Sequence, residues 1–257
     1  MLYIARPLSA MQDKSSIQLL SNPPLVEVIF GLRAVTPSHL GEKATQEVLA
    51  PKLPGGFHIE QVGYFDSTEG PEILSTSEWA GIKVRSTDQK LIVHFMRNGL
   101  FVNFLKPYRG FVDSLPLVKQ FWEIYVEVMQ PETMVGPSLR YINVIDIPLT
   151  DGRFKIADYF KVVTSFSTHD QFDLHRFHHQ MVLSDPAIDI PARLILTSLG
   201  DSTETKNVKV CLDIEGFLDK QLPTSSAAIW QDLEAIRRWT YKLFLSTLQP
   251  SCIAPYR

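Results

Sequence analysis

The densest polar run in the chain is HDQFDLHRFHHQ at 169–180. Imidazoles beside carboxylates can ligate a transition metal or supply a base near neutral pH. The run offers His169, Asp170, Asp173, His175, His178 and His179. If it is extended, side chains alternate, so His175 and His179 share one face and His178 takes the other. A three-ligand site then needs help from elsewhere in the chain, and no HExxH helix supplies it. A polar strand at a sheet edge accounts for the same residues without any chemistry.

Two further groups could do chemistry. Asp213 and Glu215, in CLDIEGF, place two carboxylates on one face of a strand. Such a pair can work as acid and base or hold a hard cation. With His175 and His179 they make up the catalytic set of a metal-dependent hydrolase, in which His175, His178 and His179 are the metal ligands to test. The second group interrupts two apolar runs: Glu27 and Arg33 in LVEVIFGLRAV, and Arg140, Asn143 and Asp146 in LRYINVIDIPL. Charges in central strands are costly unless paired. If the two runs are neighbours, Glu27 can pair with Arg140. A ligand pocket at their seam, built from Glu27, Arg140, Asn143 and Asp146, is the alternative.

Bulk properties narrow the classes. The formal net charge is −3, which lacks the basic excess of a protein built to neutralise a phosphate backbone. A local patch from Arg97, Arg193, Lys206 and Lys209 leaves nucleic-acid binding on a sheet face as a lesser reading. Cys211 and Cys252 have no histidines at zinc spacing and read as free thiols. Pro54-Gly55-Gly56 lacks the lysine of a phosphate loop, and no GxGxxG or GxSxG occurs, so no cofactor is expected. No apolar run approaches a membrane span, and Arg6, Asp13 and Lys14 interrupt any signal core, so the expected location is the cytoplasm.

The elements that must position these residues form a repeating series. After an N-terminal extension at 1–20 and a break at Ser21-Asn22-Pro23-Pro24, the run Leu25–Val35 reads as a strand buried on both faces. Ser38 should cap a helix to Leu49. Strands are expected at His58–Asp66, Trp79–Arg85, Leu91–Arg97 and Leu100–Leu105, with Asn98-Gly99 as a two-residue hairpin turn. A long helix follows from Ser114 to Met129, with Ser114 as cap and Pro116 in the first turn. The series then restarts: a strand at Leu139–Leu149, a short helix at Phe154–Val162, strands at Phe172–Leu183, Ala192–Leu199 and Val208–Ile214, and a helix from Ser226 to Leu248. Both long helices end on Gln-Pro, at Gln130-Pro131 and Gln249-Pro250.

This recurrence predicts an α+β fold of two diverged β-α-β(3-4)-α repeats, at 21–133 and 134–257, in one compact domain. They share a mostly antiparallel sheet, with the opening strands central and both long helices on one face. The pseudo-twofold arrangement resembles the saddle of the TATA-binding protein in topology, a likeness that carries no function.

The two long helices differ. The last has one apolar stripe, Ile229, Leu233, Ile236, Leu243 and Phe244, with Gln231, Arg238 and Lys242 opposite. The first has an inner stripe from Phe111 to Met129 and a second beside it: Leu117, Phe121, Ile124 and Val128. A helix apolar over most of its circumference has more than one surface to bury. Either it lies deeper in its own fold, under the N-terminal extension, or the second stripe is a subunit or partner interface.

The segments NPPLVEVIFGLR at 22–33, LRYINVIDIP at 139–148 and LDIEGF at 212–217, with the final helix leading into Gln249-Pro250, resemble an uncharacterised, sporadically distributed bacterial family of similar length. LRYIN is the most distinctive piece. The resemblance brings no activity and no catalytic residue. Its sporadic occurrence implies mobile islands that carry conflict and defence genes. The favoured reading is a non-enzymatic binding or adaptor protein that contacts a protein partner or a second copy of itself, with no membrane involved.

Overall fold

The computed structural model describes residues 20–37, 41–67, 76–149, 155–162, 176–200 and 207–256, with 61–67 and 76–78 as backbone alone. Nine strands are joined by antiparallel pairing into one sheet, with helices α1 (Glu42–Leu49), α2 (Phe111–Met129), α3 (Ala228–Thr247) and the single turn α4 (Pro250–Ile253). The strands are β1 (Leu25–Val35), β2 (Phe57–Ser67), β3 (Thr76–Ser86), β4 (Leu91–Met96), β5 (Gly99–Leu105), β6 (Thr133–Pro148), β7 (His178–Asp185), β8 (Ile190–Leu199) and β9 (Asn207–Phe217). Their order across the sheet is β2-β3-β4-β5-β1-β6-β9-β8-β7. The two opening strands, β1 and β6, are therefore direct neighbours at its middle. None of the described helices is long and apolar enough to cross a membrane.

Alternation sorts the side chains between two faces. Val28, Phe30 and Leu32 of β1, and Leu139, Ile145 and Ile147 of β6, are sealed beneath the helices. Phe30 lies opposite Leu139, and Leu139 opposite Gly216 of β9. The Phe30 ring meets Phe111 of α2 at 5.6 Å. A Cβ on Gly216 would lie 2.6 Å from Ile236 Cγ2 of α3, so this glycine lets that helix sit directly on the strand. α2 and α3 thus cover the same face. The stripe Ile229, Leu233, Ile236, Leu243 and Phe244 is buried there, as its spacing requires, and Gln231, Arg238 and Lys242 are exposed.

The second stripe of α2 is not left for a partner. Phe121 is 0% exposed, Ile124 9% and Val128 5%, and Leu117 is half-buried against the core. Phe121 packs edge-on to Phe57 of β2 at 5.1 Å and to Phe95 of β4 at 6.2 Å. α1 contacts α2, and Lys52 just after it pairs with Glu127. The outer strand and α1 therefore wrap the helix from the side, which corrects the interface assigned to Leu117, Phe121, Ile124 and Val128. Tyr125 then donates to the Met96 carbonyl at 2.9 Å, and Trp122 Nε1 to that of Thr224 at 2.9 Å, tying α2 to both halves of the chain.

Several local expectations shift. α2 begins at Phe111, so Ser114 lies inside the helix and donates to the Gly110 carbonyl at 2.8 Å instead of capping. Pro116 is accommodated one turn in. Met96 pairs with Gly99, so the hairpin turns on Arg97-Asn98 and Gly99 already belongs to β5. That glycine has φ +144°, and a Cβ there would lie 2.6 Å from the Leu32 carbonyl oxygen. Close passage of β1 demands it, not the turn. The helix expected at Phe154–Val162 is only a 3₁₀ turn, Ile156–Asp158, while Phe154 and Ser38 lie outside the described residues. Pro250 does end α3, and then opens α4.

Removing the Phe121 ring leaves a cavity bounded by Phe57 and Phe95. Phe121→Ala should therefore lower the unfolding free energy by roughly 3–5 kcal/mol, measured by urea denaturation, without changing the association state.

Candidate functional site

Among the described residues no helix covers the other face of the sheet. Cross-strand pairs line it up in register: Lys83 with His94, Ile92 with Asn103, Asn103 with Ile29, Ile29 with Arg140, Arg140 with Glu215 and Glu215 with Arg193. Ion pairs and hydrogen bonds connect this row. Glu60 takes Arg85 at 2.8 Å and Lys83 at 3.1 Å, and Asn103 donates to Glu27 at 2.7 Å. Arg140 grips Asp213 with Nε to Oδ1 at 2.8 Å and Nη2 to Oδ2 at 2.5 Å, and Arg193 holds Glu215 at 2.5 Å. Between the charges lie half-buried Ile29, Ile92, Phe101, Ile142, Val144 and Ile195. The face is amphipathic and its described charges are largely neutralised in place.

This geometry redistributes the sequence candidates. Glu27 does not pair with Arg140, because Asp213 on the other flank of β6 meets the guanidinium squarely and Asn103 occupies Glu27. Asp213 and Glu215 do share one face, but each carboxylate is tied to an arginine, which leaves neither disposed as a free base or cation ligand. His178 and His179 sit on β7, exposed and half-buried respectively, and alternation sends them to opposite faces. His179 lies on the helix side beside Phe177 at 5.7 Å, across the sheet from Asp213 and Glu215. His178 pairs with Thr197, two strands away from β9. The hydrolase set is thus divided by the sheet, while His169, Asp170, Asp173 and His175 lie outside the described residues, as does Lys206. No three described His, Cys, Asp or Glu side chains converge as a metal site would require. Cys252 is buried, which pushes its thiol up to about 11, and Cys211 is raised by burial and by Asp213. Both remain protonated at neutral pH.

A pocket does exist at the seam, but on the helix face. Its cavity of about 320 Å³ lies between β1, β6, the start of α2 and the middle of α3. Of the four residues assigned to a seam pocket only Asn143 lines it, together with Tyr141. Residues 140, 142, 144 and 146 point the other way by simple alternation, which places Arg140 and Asp146 on the open face, as Glu27 is from β1. A register shift between Leu25 and Glu27 marks a bulge at Val26 and brings Leu25 round to the cavity. The sequence signal that was available is the spacing Tyr141-x-Asn143, two polar-tipped residues on one face. Tyr108, Arg109 and Arg237 carry no such signal, because separate elements bring them in.

His94 responds to pH. Partial burial holds it below the ordinary histidine range, with Lys83 and Arg85 adding to the effect and Glu27 and Glu60 opposing it. The unfolded chain therefore binds the extra proton first. The contribution of His94 is whole above about pH 6.5 and is lost as pH falls below it. His94→Gln should flatten the decline in unfolding free energy between about pH 7 and 5, followed by urea titrations at each pH.

No protein-family model matches this chain, and no curated protein matches it in sequence.

Proposed function

We propose that this chain is a non-enzymatic binding or adaptor protein that docks a protein partner on the helix-free face of its sheet. We further propose that residues 21–133 and 134–257 are diverged copies of one β-α-β-α unit, forming a saddle about the β1–β6 seam. The strand order supports the duplication: from the seam outward it runs β1, β5, β4, β3, β2 on one side and β6, β9, β8, β7 on the other.

The observation that carries the docking reading is the paired-charge row interleaved with isoleucine, valine and phenylalanine side chains. Protein interfaces mix apolar area with arginines and matched charge in this way. A phosphate backbone would instead have to compete with Asp213, Glu215 and Glu60 for the guanidiniums already bound there. The hydrolase reading has no comparable support, since those of its residues that are described lie on both sides of the sheet. Likeness to a sporadically distributed bacterial family favours a role in a defence or mobile-island system.

Amine-reactive crosslinking in cells tests the proposal. Lys83 and Lys209 should give crosslinks to one protein partner. Ile142→Arg should weaken retention of that partner by about 2 kcal/mol or more while the melting temperature stays within a few degrees. Crosslinks confined to the helix side, or tight duplex binding that falls steeply with salt, would overturn it.

A further inference from the structure

The seam cavity has features that the docking role does not use. Its walls are apolar and aromatic, from Leu25, Phe111, Tyr141, Ile214 and Phe244. An apolar cavity of about 150 Å³ takes up benzene. One of about 320 Å³ has room for a ring and a short side arm. The charged side chains in its lining are both arginines, Arg109 and Arg237, and no Asp or Glu lines it among the described residues. Arg237 is held by Glu234 at 2.7 and 2.9 Å, with its guanidinium 5.5 Å from the Phe111 ring. Arg109, exposed at the mouth, makes no ion pair among the described residues.

A second observation points the same way. Tyr108 Oη is shut off from solvent and has no hydrogen-bond partner among the described residues. The Ser114 hydroxyl donates to the Gly110 carbonyl at 2.8 Å and makes no bond to the phenol. The Thr240 hydroxyl is also committed, to the Ile236 and Arg237 carbonyls. A buried hydroxyl without an acceptor is costly, and such a group calls for a missing partner. Gly110 and Phe111, where α2 begins without a side-chain cap, line the same cavity, so the positive end of a long helix adds to the preference for an anion.

We infer that the seam cavity binds a small organic acid, with its ring or alkyl body against Phe111, Tyr141 and Phe244 and its carboxylate between Arg109 and Tyr108 Oη. The Tyr108 phenol donates one hydrogen bond, and Arg109 supplies the charge. Burial raises the ionisation of Tyr108 and Tyr141 alike, so both present O–H donors and not phenolates at neutral pH. The body decides which acids enter, because a bare inorganic anion leaves the apolar walls unfilled.

Titration calorimetry on the full chain tests this with 3-phenylpropanoate, its neutral amide 3-phenylpropanamide, and inorganic phosphate. The carboxylate should bind about tenfold or more tightly than the amide, and phosphate should give no heat. Arg109→Gln should reduce carboxylate affinity about tenfold and leave the amide unchanged. Tyr108→Phe should weaken the carboxylate while the melting temperature holds or rises, because the variant removes an unpaired hydroxyl. Equal binding of acid and amide, phosphate binding as tight as the acid, or no heat from any probe would each overturn the inference. So would a Tyr108→Phe variant that melts lower and binds the acid as well as wild type.

Discussion

The antiparallel pairing of β1 with β6 is the constraint on which the rest depends. It runs from Leu25–Asn143 to Val35–Thr133, across two register shifts, and joins strands whose sequence neighbours lie elsewhere. Without it the chain is two separate antiparallel sheets, each with an exposed inner edge and half of a core. With it, Phe30 and Leu139 meet under α2 and α3, and the row of charges on the opposite face becomes continuous from β3 to β8. Such non-local pairing gains its hydrogen bonds only after a long loop has closed, so the seam is also entropically demanding.

The seam divides the molecule's polar residues by parity. One face of β6 carries Arg140 and Asp146 and the other carries Tyr141 and Asn143. Adjacent residues of a single motif therefore serve two surfaces separated by the thickness of a sheet. The bulge at Val26 adds to this by turning Leu25 toward the cavity while Glu27 stays on the open face. A one-residue shift of register would exchange the two sets and place Arg140 among the buried aromatics, which is why both faces of the seam specify the register together.

Charge burial at the open face is governed by pairing. Asp213 is 7% exposed as a residue, and a carboxylate so placed is tolerable only with a cation on it. Arg140 supplies that cation by two hydrogen bonds, and Asp213 in turn raises the guanidinium's hold on its proton. The arrangement makes the face chemically quiet and sterically defined.

Most elements were legible in the sequence because their causes are local. A nearly continuous apolar run marked β1, β-rich runs marked β6, β8 and β9, and the stripe through Ile229 and Phe244 marked α3. Proline marked the ends of both long helices. That the two opening strands are neighbours was also inferable, from the recurrence of the same series of elements. What the sequence could not decide was anything that depends on which groups meet across distance. The sequence pointed Arg140 toward Glu27, and only the flanking strand β9 gave it Asp213 instead. A second apolar stripe on α2 announces burial but not by what, and the wrap of α1 and β2 around Phe121 answered it. The cavity drew Tyr108 with Arg109, Asn143 and Arg237 from three separate stretches of chain, a convergence with no shared periodicity to betray it. Local propensity is written in neighbouring residues, whereas pairing, enclosure and the fate of a charge arise from long-range geometry that only the folded chain supplies.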